Sequence, residues 1–393
     1  MPQISSWRRT AWFMLTLGIG VSVLVHGAPR AETVQEPASV KALLGDVLEY
    51  IKTSITSADE DLTLKLAAEP SAQLSGKIVE LIFPEPSILD RDGVGFHLGN
   101  VTANVTPLDK DQFQFSVGLP RSMTVSEANG LTEGEVSWAA SGLHGIWRAD
   151  LEIATEIHGA LKNLLFIDIK QGEKHVVGKI DSIAMNQKFI ESTNGWWSGQ
   201  LMYDVANIEF APANEDERVS LGSVSVNSKL QDFDLASWQA LFEWGNSHFI
   251  VVDGTLPSSL GNSRAATQIF ETMNLGAGNM GLSILNLSYG PPGRQEFKMG
   301  GLNLTMNYDN GARPGTYSFQ LDWRGLEQTD GDIPSAYFTH TGALKIHLEQ
   351  FPLRQILTSV LRETENLNPP VDPADSDFNA PLQLMALPMI NAN

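Results

Sequence analysis

The 393-residue chain is predicted to be mainly β with a few helices, built on a long antiparallel, strongly curved sheet of groove or taco-like shape. Three observations lead there. Apolar and polar residues alternate in about a dozen runs, turn signals separate the runs, and a strand-then-helix unit is repeated.

Residues 1–31 carry the parts of an export signal in order. Arg8 and Arg9 precede an apolar run from Ala11 to Val25, and small residues follow at Gly27, Ala28 and Ala31. Cleavage after Ala31 is the expected outcome. An uncleaved N-terminal anchor is the alternative, because the run approaches the ~20 apolar residues of a membrane span. Between residues 38 and 55, Val40, Leu43, Leu44, Val47, Leu48 and Ile51 recur at spacings of three and four, which predicts an amphipathic helix. Its polar face is not basic, so it is expected to pack on a sheet rather than on a membrane surface.

From Leu62 the period falls to two. Leu62, Leu64 and Leu66 alternate with Thr63 and Lys65, and Phe113, Phe115 and Val117 with Gln112, Gln114 and Ser116. Similar runs are read at 101–105, 147–157, 164–169, 177–183, 201–210, 221–230, 282–287, 297–308, 317–323 and 344–348. Turns such as Asp92-Gly93, Asn129-Gly130 and Asn194-Gly195 separate them. Such a pattern predicts a sheet with one face buried and the other wet, whose edges must be curled, paired or covered.

Leu230-Gln-Asp-Phe233-Asp-Leu235 and Leu348-Glu-Gln-Phe351-Pro-Leu353 match, and each precedes a helical pattern. Asp234 and Pro352 are good helix starters. A further helix is expected at about 264–273, ahead of Gly276. The chain thus divides into the signal, an N-terminal β-rich half with its leading helix at 32–240, a C-terminal β-rich half ending in a helix at 241–367, and a Pro/Asp linker with an apolar tail at 368–393.

Composition excludes several chemistries. There is no cysteine, hence no disulfide and no thiol nucleophile. The formal charge of −20, without a compensating basic patch, argues against nucleic acid as a partner. Gly276-Ala-Gly278-Asn-Met-Gly281 spells a dinucleotide fingerprint, but a helix precedes it and a strand follows, the reverse of the required order. It reads as a flexible turn. The histidines are dispersed in sequence, no Gly-x-Ser-x-Gly elbow occurs, and no catalytic residue, metal ligand or cofactor motif is picked out. Asp90-Arg-Asp92-Gly93 reads as an acidic turn. The candidate ligand or partner surface consists of Trp196 and Trp197, of which only one can face a core, and Leu384 and Met385 in the tail.

Glycine-led strands (Gly76-Lys-Ile, Gly178-Lys-Ile, Gly199-Gln-Leu, Gly301-Leu-Asn, Gly342-Ala-Leu), the signal or anchor, the short helix and the Leu-x-x-Phe-Asp/Pro-Leu phrase together resemble uncharacterised periplasmic proteins of Gram-negative bacteria, broadly similar to the AsmA-like group. The resemblance implies a taco-shaped sheet and a role near the envelope, in handling lipids or outer-membrane components. The resulting expectation is a non-enzymatic periplasmic protein, peripheral or N-terminally anchored, with a lipid or an envelope protein as partner. A structural or assembly factor and a glycan or ester hydrolase using unrecognised carboxylates are the alternatives.

Overall fold

The computed structural model describes residues 62–241 and 263–365, apart from residues 110, 149–150, 152, 171, 212–217, 239, 292–295, 311–314 and 329–338, together with part of 44–55. The signal, the linker and the tail lie outside the described residues. The strands are β1 (Thr63–Lys65), β2 (Ser71–Ser75), β3 (Ile78–Phe83), β4 (Ser87–Leu89), β5 (Gly95–Leu98), β6 (Val101–Pro107), β7 (Gln112–Gly118), β8 (Ser122–Ser126), β9 (Thr132–Ser137) and β10 (Ala140–Arg148). They continue with β11 (Ile153–Lys170), β12 (Glu173–Glu191), β13 (Trp197–Phe210), β14 (Arg218–Phe233), β15 (Ala277–Gly290), β16 (Phe297–Asp309), β17 (Gly315–Arg324), β18 (Glu327–Gln328) and β19 (Thr341–Phe351). All nineteen belong to one open antiparallel sheet. Helices α1 (Ser263–Thr272) and α2 (Leu353–Glu365) complete the labelled elements.

The pairing reduces to a simple path. β1 pairs with β4 and β2 with β3, so β1/β2 and β3/β4 are each two halves of one interrupted pass. The same holds for β5/β6, β7/β8, β9/β10 and β17/β18. These six mergers turn nineteen strands into thirteen passes, each antiparallel to the one before. An open, twisted sheet of more than about ten strands usually curls, splits or flattens.

The interruptions fall on one line across the sheet. In the first five passes it is a gap, at 66–70, 84–86, 99–100, 119–121 and 138–139. Beyond them it is crossed by single-residue irregularities. Asn163 stands opposite Asp181, between the pairs Lys162↔Ser182 and Leu164↔Ile180, and Asp181 in turn faces Asn207. Gly222, Asn286 and Gly300 continue the line to Gly325. Asn163, Asn207 and Asn286 have φ of 52°, 51° and 56°, left-handed values that Asn tolerates better than most residues. Asn207 Nδ2 donates to Asp181 Oδ2 at 2.8 Å, holding the line together between β12 and β13. A left-handed residue within a strand breaks the alternation of its side chains and turns the strand's direction. Stacked in register, such residues crease the whole sheet.

The crease corrects two sequence expectations. The runs at 177–183, 201–210, 221–230 and 282–287 are not uninterrupted alternations. Each slips by one residue at the crease, so that Ile180 and Ile183, Val205 and Ile208, Leu221 and Val224, Ile284 and Leu287 keep to one face at a spacing of three. The run at 147–157 is not one strand but parts of two: 147–148 end β10 and 153–157 open β11.

Register makes one face predominantly apolar, with Gln187 and Ser228 among its few polar residues. A single row of direct neighbours runs from Leu81 through Ala103, Val117, Leu143, Gly159 and Met185 to Tyr203. It continues through Val226, Leu282, Leu304 and Leu321 to Leu344 on the last pass. The neighbouring row on the opposite face reads Asp204, Ser225, Ser283, Asn303, Asp322. The apolar side is the concave one. Leu164 is only 1% exposed and packs with Met123, Val136, Trp138, Phe166 and Val205, which a single flat layer could not achieve.

Helices close this face at one flank and one end. The described residues of the leading helix, Leu44, Val47, Leu48 and Ile51, pack on Val79, Leu81, Phe83 and Val101, as their spacing predicts. The repeated strand-then-helix unit is real in three dimensions. Asp232 and Gln350 both have positive φ, of 51° and 53°, and the same bulge sets Trp197 opposite Phe233 and Gly315 opposite Phe351. Asp234 then caps the following helical turn, its carboxylate accepting from Ser237 N at 3.0 Å. After Phe351, Ile356 N donates to Pro352 O to open α2. Arg354 ties α2 to α1 by donating to the carbonyls of Phe270 and, at 2.7 Å, Met273.

Candidate functional site: an open apolar floor

The concave face has two regimes. Over β3 to β13 it is filled, by the leading helix on one flank and elsewhere by mutual packing around Leu164 and around Ile157. From β14 to β19 the same rows continue, but Val224, Val226, Leu282, Ile284, Leu302 and Leu304 are only half-buried and, among the described residues, join none of these clusters. Met280 and Leu344 are openly exposed. Five passes at ~4.8 Å spacing make a floor about 20 Å wide. Apart from Ser228, Trp323 and Gly342 it is a surface of Leu, Ile, Val, Met and Phe, with no charged side chain in the rows through Val224, Val226 and Ser228.

Aromatic rings on this face lie across glycines of the adjacent strand. Phe115 faces Gly145, Phe189 faces Gly199, Tyr308 faces Gly278 and Trp323 faces Gly342. A Cβ at Gly342 would come within 2.0 Å of the Trp323 ring, so the indole lies flat where a side chain would stand. This accounts for the glycine-led strands Gly199-Gln-Leu and Gly342-Ala-Leu. The rings level the floor instead of projecting from it, and Trp323 Nε1 is anchored on the Thr339 carbonyl at 3.2 Å.

The two tryptophans divide, Trp197 opening β13 and Trp196 lying in the turn before it. Trp197 is 4% exposed, opposite Phe233, with the Arg148 guanidinium 5.5 Å from its ring centre. Trp196 is 40% exposed in the hairpin turn, its carbonyl accepting from Ser192 N and Oγ, each at 2.7 Å. They flank the sheet end, not the floor. Leu384 and Met385 lie outside the described residues. Sequence reasoning passed over the floor itself because its residues look like any buried strand face.

The polar face holds a depression of about 750 Å³ bordered by Lys188, Gln200, Lys229, Asn279 and Asn307. Nearby, the β10–β11 hairpin sets His144 and His158 opposite each other with ring centres 5.2 Å apart, although fourteen residues separate them in sequence. His158 meets Asn186 at 3.0 Å and Glu156 at 3.1 Å, and these bonds raise its pKa above the ordinary value. The hydrogen bond from Lys188 holds the Glu156 carboxyl below its usual range. Among the described residues no group of three or more acidic or histidine side chains could hold a metal. The glycine fingerprint is not the flexible turn expected from its sequence. Only Gly276, φ 62°, is a turn residue, wedged against the Gln231 carbonyl, and β15 begins at Ala277. Asp90 is an acidic turn whose Oδ1 accepts from Asp92 N and Val94 N.

No helix among the described residues is long and apolar enough to cross a membrane. No family model, curated protein or solved structure matches the chain.

Proposed function

We propose that this chain is a non-enzymatic periplasmic envelope protein that holds a lipid or another amphiphile against the open apolar floor of β14 to β19. The observation that carries the proposal is the contrast along one face. The same register rows are closed over in the N-terminal half and left open in the C-terminal half, where exposed Met280 and Leu344 adjoin half-buried Leu282 and Leu304. Contiguous apolar surface of that extent marks a binding site. The levelled aromatic rings suit a flexible hydrocarbon chain better than a rigid ligand needing pockets. The export signal and the resemblance to the AsmA-like group support the placement in the envelope.

The test uses the full chain purified without detergent. Mass spectrometry of its organic extract should find an amphiphile in stoichiometric amount, and the protein should move a labelled phospholipid between vesicles. Leu282→Glu and Leu304→Glu should abolish both while leaving the circular dichroism spectrum unchanged. Empty extracts and no transfer from the wild-type chain would sink the proposal. For the placement, fractionation should find the chain outside the cytoplasm with a new N-terminus near Glu32.

A further inference from the structure

Among the described residues β19 pairs with β17 and with no other strand, leaving an edge of 11 residues. Long exposed edges are templates for pairing with another chain. On the concave side this edge shows Leu344, Ile346 and Leu348 at 47%, 45% and 36% exposure, and on the outer side Lys345, His347 and Glu349.

We infer that β19 pairs antiparallel with β19 of a second copy, with His347 on the two-fold axis. In that register Lys345 faces Glu349 of the second copy, and symmetry repeats the pair. Ile346 faces Leu348 twice on the concave side. Neighbouring registers are poorer: centring on Lys345 sets two ammonium groups together, centring on Ile346 leaves Glu349 opposite Ala343, and centring on Leu348 sets Lys345 opposite Phe351 and Ile346 opposite Gln350. The His347 ring already reaches Glu349 Oε1 at 3.3 Å, so the carboxylate sits between its own imidazole and the incoming ammonium. Two copies of a chain at formal charge −20 repel at long range. An interface between them therefore needs the local charge complementarity that this register supplies. The arrangement is isologous and closes after two subunits.

Sedimentation velocity on the full chain between about 1 and about 100 µM should show a monomer–dimer equilibrium. Lys345→Glu and Glu349→Lys should each weaken it about tenfold, because two opposed ion pairs become two like-charge pairs. The combined swap should restore the dimer. Since the chain has no cysteine, His347→Cys should crosslink to itself under mild oxidation, whereas Ala343→Cys, which would face Phe351, should not. A monomer throughout, a dimer indifferent to both single swaps, a double swap that stays monomeric, or equal crosslinking at both positions overturns the inference.

Discussion

At Asn286 the chain takes a left-handed φ of 56° facing Gly222, whose missing Cβ would come within 3.1 Å of the Asn286 Cβ. Most residues with a Cβ pay about 1 kcal/mol or more for this conformation. Asn286→Ala should therefore lower stability by about 1 kcal/mol in urea titration, while Asn286→Gly should stay within about 0.5 kcal/mol. On the polar face, His158 should titrate above 6.5 by proton NMR, and Asn186→Ala should bring that value down. The signs differ for the two partners. The His158 contribution is complete below 6.5 and fades as pH rises through its raised value. The Glu156 contribution is present above 4.5 and fades as pH falls through its lowered one. Both act together between those pH values, so His158→Ala should cost most there.

Among the elements, the repeated unit and the leading helix were legible because their signals are local: a Leu-x-x-Phe-x-Leu phrase and a three-four spacing. The crease was also written in the chain, as a spacing of three between Val205 and Ile208 or Ile284 and Leu287, but a search for strict alternation treats such slips as noise. The short strands β4 and β18 carry too few residues to show any period. The sequence between Arg148 and Ile153 has no Gly or Pro, so nothing local marked the end of β10. The floor was illegible for a different reason: whether an apolar row is covered depends on what lies above it, not on the row. Energetically, α2 depends on its lash to α1. Arg354→Ala removes two charged hydrogen bonds to the end of α1 and should cost about 1.5–3 kcal/mol in chemical denaturation. Phe233→Ala should cost about 3–5 kcal/mol, since the ring packs edge-on against Phe189 beside Trp197.

For the molecule as a whole, one face serves two purposes according to what covers it. Leu164→Ala, in the filled half, should destabilise by about 2–5 kcal/mol through an unfilled cavity. Leu304→Ala, on the open floor, should cost much less, because solvent or ligand occupies the vacated space. Differential scanning calorimetry of the two variants compares them directly, and added phospholipid vesicles should raise the transition of wild type more than that of Leu304→Glu.

The meander path has a bearing on how the molecule is made. Every pass finds its partner in the pass just finished, as in the tight return from Lys170 to Glu173 between β11 and β12. All-β proteins usually fold slowly because distant segments must first meet. Here no pass waits for one synthesised much later, so the sheet can zip forward from its amino end in the order in which residues are delivered. The longest excursion, between Phe233 and Ala277, interrupts that progression.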